Sequence, residues 1–142
     1  EMRKQGYLKA LQNEKVVFES EIVGEYTTDN ESIYVNQFTK RIFDMKDRPT
    51  VIVCYNDKIA SQVMDISRQR NIQIPKDLSI TSFDDSHIAL SSDIKLTTIK
   101  HPKKDMGKKA AKCIIDMVEE RIKKTQYVYD AELIVRDSCN RI

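Results

Sequence analysis

Two apolar runs, Val51-Ile52-Val53-Cys54-Tyr55 and Leu78-Ser79-Ile80-Thr81-Ser82-Phe83, each stop abruptly at polar side chains: Asn56-Asp57 after the first, Asp84-Asp85 after the second. Each run has the length and β-branched content of a buried strand, and neither terminal pair suits an apolar interior. Elsewhere the apolar positions recur at helical spacing. Met2 to Asn13 reads as a helix with Tyr7, Leu8 and Leu11 on one side. Val35, Phe38, Ile42 and Met45 mark one face of a helix that starts from an Asp29 N-cap and runs to about Met45. A third helix follows the Asn56 cap, with Ile59, Val63 and Ile66 inward and Arg68 and Arg70 placed to suit the dipole at its end.

Shorter signals fill the gaps. Ser20 to Val23 reads as a short strand ended by Gly24, and Pro75 with Asp77 forms a turn before the second apolar run. Ser86 to Asp93 is a polar loop with one short helical turn, and Leu96 to Ile99 is a further strand. Pro102 then suits the first turn of a long helix to about Lys124, striped by Met106, Ala110, Ile114 and Met117. Tyr127 to Arg136 is strand-like and divided near Asp130. Helices and strands alternating in this way predict an α/β fold, a mostly parallel sheet with helices on both faces. Ligands of such sheets bind beyond the carboxyl ends of the strands. Carboxylates and an amide at that edge suit a neutral, hydroxyl-rich small molecule.

Composition narrows the classes. The chain has 142 residues, 40% hydrophobic and 32% charged, with three glycines and three prolines, which disfavours linkers and an all-β fold. A net charge of +2 does not by itself point to nucleic acid, and no apolar run approaches a membrane span. No signal peptide is visible at the start. Cys54, Cys113 and Cys139 are odd in number and widely spaced, fitting neither a disulfide framework nor a zinc site. They read as buried small apolar residues of a reducing compartment, and the cytoplasm is the expected location.

The sequence contains no P-loop, GxGxxG turn or GxSxG elbow. His87 and His101 lie in polar loops away from metal-ligand spacing, and the Lys103-Lys104 and Lys108-Lys109 pairs fall on the solvated side of the long helix. Neither a catalytic set nor a cofactor is expected. Asn56 and Asp85, each taken alone, suit a turn or cap role as well as a ligand-binding one, whereas Asp84 follows a strand with no long helix to cap.

The segments Arg3-Lys4-Gln5-Gly6-Tyr7, Cys54-Tyr55-Asn56-Asp57-Lys58-Ile59-Ala60, Ile74-Pro75-Lys76-Asp77-Leu78-Ser79-Ile80, Ser82-Phe83-Asp84-Asp85 and Leu96-Thr97-Thr98-Ile99-Lys100 together resemble the effector-binding domain of lactose/galactose-type repressors. The likeness is collinear over nearly the whole chain. Ser82 to His87 and His101 to Gly107 look most like the arabinose-responsive members from Bacillus-type bacteria, which join this domain to a GntR-type winged helix-turn-helix.

The resemblance implies two similar α/β lobes joined by three crossing strands, with a sugar between them, as in periplasmic binding proteins. A domain of that kind is about twice as long as this chain. The chain is therefore expected to be its C-terminal half: residues 1–98 and 131–142 would form the C-terminal lobe, and residues 101–126 would supply a helix of the other lobe. No DNA-binding domain falls within it.

The same resemblance implies the site. Arg3 matches an arginine that reaches sugar hydroxyls, Asn56 an amide that both donates and accepts, and Asp84 an acidic acceptor. Tyr26 falls where an aromatic stacks on a sugar. His101 or Lys103 stands where the family places a glutamine or aromatic. The implied partners are a small sugar, L-arabinose foremost, a second copy of the chain through the helix after Asn56-Asp57, and operator DNA through the winged helix. Two other classes stay open: a secreted sugar-binding protein of a transporter, and a metal-dependent phosphotransfer domain built on Asp84-Asp85.

Overall fold

The computed structural model describes residues 2–122 and 125–140. Among these residues five α-helices and four strands follow one another: α1 (Met2–Asn13), α2 (Glu31–Phe43), β1 (Val51–Val53), α3 (Asp57–Gln69), β2 (Ser79–Phe83), α4 (Ile88–Ser91), β3 (Thr97–Lys100), α5 (Lys103–Val118) and β4 (Glu132–Ile134). The strands lie in the order β1-β2-β3-β4. β1, β2 and β3 are mutually parallel, and β4 runs antiparallel to β3. The expected α/β class with a mostly parallel sheet is the one observed.

The period of two along each strand divides the sheet into two unlike faces. Ile52, Ile80 and Leu96 fall on the side that meets α3, where Ile59, Ala60, Val63, Met64 and Ala89 complete a core together with Val35 of α2. On the other side Val51 and Val53 are 42% and 47% exposed, and Leu133 of β4 is 56% exposed. Phe83 shares that second face through its register with Ile99. Ser138, past the end of β4, is fully buried and ties two strands together, accepting from the Thr97 N–H and donating to the Ile80 carbonyl.

Several expectations need correction. Ser20–Ile22 is a single 3-10 turn and not a strand. A strand needs a neighbour to satisfy its peptide groups, and no described strand pairs with this segment or with the free edge of β1. The second helix starts later than Asp29, after a 3-10 turn over Thr28–Asn30 in which the Thr27 N–H donates to Asn30 Oδ1 at 3.0 Å. It ends at Phe43, before Met45.

The long helix stops at Val118, not Lys124. Glu120 there adopts a left-handed φ of 57°, and the Glu119 and Glu120 N–H groups close on the Ile115 and Met117 carbonyls. Lys123 and Lys124 lie outside the described residues. Of Tyr127–Arg136 only Glu132–Ile134 is strand, because only these residues find partners on β3. Cys54 alone among the cysteines is buried; Cys113 and Cys139 are half-buried. Burial, followed by the charge of Asp57, pushes the Cys54 thiol up to about 12, so it stays protonated.

Candidate functional site

Asn56 follows β1 and Asp84 follows β2, and because these strands are parallel neighbours the two residues share one carboxyl edge of the sheet. Their surroundings separate the four polar residues of the two terminal pairs. Asn56 is an N-cap: its backbone is extended and its Oδ1 accepts from the Ile59 N–H at 2.9 Å. That leaves the amide NH2 and one oxygen lone pair for other work.

Asp57 turns inward. At 1% exposure it accepts from Ser82 Oγ (2.6 Å) and Thr98 Oγ1 (2.7 Å) on one oxygen, and from the Ser86 N–H (2.6 Å) on the other. Burial raises the pKa of such a carboxyl, but the hydrogen bonds from Ser82, Ser86 and Thr98 outweigh it and hold the group below its ordinary value. Asp85 is likewise occupied, accepting from the Arg136 guanidinium at 2.7 Å with both side chains mostly buried. The sequence alone places carboxylates from both strand ends at the edge. The structure instead leaves only the Asp84 carboxylate facing outward.

Asp84 and Asp85 have φ values of 101° and 42°, both left-handed. Aspartate tolerates this region better than most residues, but such a backbone persists only where neighbours hold it. Here the Asp84 N–H continues the ladder to the Ile99 carbonyl at 2.9 Å, and Lys103 Nζ donates to the Asp84 carbonyl. The outcome is a carboxylate projected from the end of β2.

Arg3 of α1 comes to that carboxylate. Its Nη2 lies 3.1 Å from Asp84 Oδ1, and its Nη1 donates to the Tyr55 carbonyl. The guanidinium carbon sits 4.4 Å from the centroid of the Tyr55 ring and 4.7 Å from that of Phe83, so cation–π contacts add to the ion pair. His101 Nε2 approaches the same Asp84 oxygen at 3.7 Å. The Tyr26 ring stands edge-on to Tyr55 with centroids 6.4 Å apart. Burial, then the nearby Glu31 charge, raises the Tyr26 phenol and keeps it neutral.

Arg3, Asp84 and His101 therefore meet directly, and Tyr26 joins them through Tyr55. Asn56, next to Tyr55 in the chain, lies at the same edge, where its side chain caps α3 and does not bond the other four among the described residues. The Arg3 and Asp84 side chains are 30% and 35% exposed, accessible without being fully solvated. Charged donors and acceptors beside aromatic faces can bind vicinal hydroxyls and the C–H face of a sugar ring.

Tyr55 and Phe83 are parts of this arrangement that the sequence reading passed over. A signal existed: each immediately precedes a terminal polar pair, so each sits at the mouth of the carboxyl edge.

The model of the periplasmic binding protein-like domain matches residues 1–139. An arabinose metabolism transcriptional repressor from Halalkalibacterium halodurans is 37% identical over 143 residues, which cover 96% of this chain and 38% of that protein. A repressor of the same description from Geobacillus stearothermophilus is 36% identical over 144 residues, covering 99% of this chain and 40% of that protein. A solved regulatory protein of LacI family from Chloroflexus aggregans superposes with a TM-score of 0.84 at 29% identity, over 97% of this chain and 50% of its own. The chain thus spans well under half the length of these two curated relatives, both of them transcriptional repressors.

Proposed function

Because the chain belongs to the periplasmic binding protein-like domain family, we propose that it is the sugar-sensing, C-terminal part of the effector domain of an arabinose-responsive repressor. The observation that carries this reading is the half-exposed Arg3–Asp84 pair, its guanidinium against the Tyr55 and Phe83 rings, at the carboxyl edge of a parallel sheet. Arg3 donates to sugar hydroxyls and Asp84 accepts from them. The Asn56 amide adds a donor, Tyr26 an aromatic face, and His101 a further polar contact. The two arabinose repressors support L-arabinose as the sugar.

The rest of the binding cleft lies outside this chain. Most of the chain, residues 1–98 and 131–142, forms one lobe, and α5 packs on the other. None of the residues of α5 is buried, which supports that division. Sugar binding draws the lobes together and alters the spacing of paired subunits in a dimer formed through the exposed side of α3. Operator DNA, held by a GntR-type winged helix elsewhere in the protein, is then released. The sugar can shift this equilibrium only by its differential affinity for the closed and open states.

The phosphotransfer alternative is disfavoured by the separate engagements of Asp84 and Asp85. One faces Arg3 and His101, the other is spent on Arg136, so the two carboxylates do not converge on a shared ion. Among the described residues no group of three or more His, Cys, Asp and Glu side chains is placed to hold a metal. The secreted alternative is disfavoured by relatives that are repressors. No described helix is long and apolar enough to cross a membrane.

Calorimetry on the full-length protein against L-arabinose and a panel of pentoses and hexoses tests the proposal. Asp84→Ala should weaken L-arabinose binding by about 1.5–3 kcal/mol, the range for a hydrogen bond to a charged group. Asp84→Asn should be milder, because the amide keeps one acceptor. Unchanged affinity in both variants would reduce Asp84 to a turn residue and remove the basis of the proposal.

A further inference from the structure

We propose that Asp57, which is sealed from any ligand, is the positioning residue that fixes Asp84 for sugar binding. This inference rests on the sugar-binding reading of Asp84. Asp57 belongs to the first turn of α3, yet its three donors come from β2, β3 and the loop after β2. Ser82 and Ser86 are the informative pair. They flank Phe83, Asp84 and Asp85 in the chain, and both are bound to the one carboxylate, Ser82 through its hydroxyl and Ser86 through its backbone N–H. Asp57 therefore pins both ends of the arc 82–86, and the middle of that arc is the left-handed Asp84 and Asp85.

Two features separate this from ordinary burial of a capping acid. An acid in the first turn of a helix gains from the helix dipole whatever else it touches, and a surface position would serve that purpose. Asp57 is instead buried and hydrogen-bonded to three segments distant in sequence, at a desolvation cost that only satisfied acceptors offset. The arc it closes also holds an unfavourable backbone at two consecutive non-glycine residues, and such strain persists only where the surroundings over-determine it. From the other side Arg136 holds Asp85 while donating to the Leu96 carbonyl at 2.8 Å. Released from Asp57, the arc loses its hold at Ser86 and its side-chain tie at Ser82, which then rests on the β2 ladder alone, and the Asp84 carboxylate loses its aim at the position shared with Arg3.

Thr98 supplies the internal control. It bonds the same oxygen of Asp57 as Ser82 does, but it lies on β3, outside the arc. Removing either hydroxyl takes one hydrogen bond from the same buried carboxylate. Only the loss of Ser82 takes a bond from the arc itself.

The test measures L-arabinose affinity by calorimetry in the full-length protein, well below its unfolding temperature. Asp57→Ala should weaken binding by about tenfold or more, comparable with the loss of an outer-sphere partner at a bound ion. Asp57→Asn should bind nearly as wild type, because its oxygen can take the Ser86 N–H while the two hydroxyls rotate to accept from its amide. The Asp57→Ala/Asp84→Ala double variant should bind no more weakly than Asp84→Ala alone, since the two act on one contact. Ser82→Ala should weaken binding more than Thr98→Val, and this comparison decides the matter even where Asp57→Ala does not fold.

Wild-type affinity in Asp57→Ala, additive losses in the double variant, or equal effects of Ser82→Ala and Thr98→Val would each overturn the positioning role. None of these results would disturb the loss seen in Asp84→Ala, on which the proposed function depends. A null result in Asp84→Ala itself would overturn both.

Discussion

Helices α3 and α5 carry apolar stripes at the same helical spacing, yet α3 buries seven of its residues and α5 buries none. α3 sits on β2, and Ile59, Val63 and Ile66 are each no more than 6% exposed. On α5 the corresponding stripe stands open, with Met106 and Met117 at 43% and Ile114 at 63% exposure. Their ends differ in the same sense. α3 begins at a side-chain cap from Asn56, whereas Pro102 before α5 offers none. An amphipathic pattern states that a helix requires a partner surface; it does not state which surface or in which part of a protein. The proposed second lobe is the partner that α5 would need. A stripe left open favours self-association, each buried Å2 of apolar surface contributing about 25 cal/mol.

The contrast can be broken by truncating the two stripes in parallel. Ile66→Ala in α3 should destabilise by about 2–5 kcal/mol in chemical denaturation, the usual range for a core isoleucine. A loss below about 1 kcal/mol would mean that α3 is not the core helix described here.

Removing the cap sharpens the comparison of the helix ends. Asn56→Ala should lower stability by about 1 kcal/mol, read from the same denaturation midpoint, because the Ile59 N–H loses its acceptor. No equivalent loss is expected from any side chain before α5.

Acid probes the first turn of α3. The folded-state pKa of Asp57 is depressed, so its carboxylate contributes stability that is fully present above the ordinary value of 3.8 and is lost as pH falls below it. Thermal melts of the wild type should therefore decline more steeply with falling pH in that acidic window than those of Asp57→Asn. Parallel profiles would show that this carboxylate has no special stake in the fold.

The smallest effect is expected on α5. Ile114→Ala in this chain should change stability by no more than about 0.5 kcal/mol, as for other exposed positions. The same change should lower the apparent mass in light scattering, because it removes part of the open stripe. In the full-length protein the cost should rise to that of a core residue. A chain that is cleanly monomeric at high concentration would count against the stripe as an association surface.

Much of this arrangement was legible in the chain. The apolar runs ending at Asn56 and Asp84 marked two parallel strands and their carboxyl edge, because β-branched residues and buried carboxylates do not mix. The stripes of α2, α3 and α5 marked helices, because the spacing of apolar residues is local information.

Pairing and depth were not local. Ser20–Val23 has the residues of a strand, yet no described neighbour supplies its hydrogen bonds, and it closes into a 3-10 turn. Tyr127–Arg136 is strand only where β3 lies opposite. Asn56 and Asp57 are adjacent polar residues that the sequence cannot rank. The fold turns one into a cap at the open edge and buries the other under hydroxyls brought from β2 and β3. Arg3 and Asp84, far apart in the chain, meet beside the Tyr55 and Phe83 rings that Arg3 covers, because α1 is carried to the edge where the parallel strands end. Sequence determined which segments were helix, strand or turn-prone, since those preferences arise within a few residues. Tertiary structure decided which polar groups were buried and which were left to meet a ligand, since desolvation depends on what the rest of the chain places alongside them.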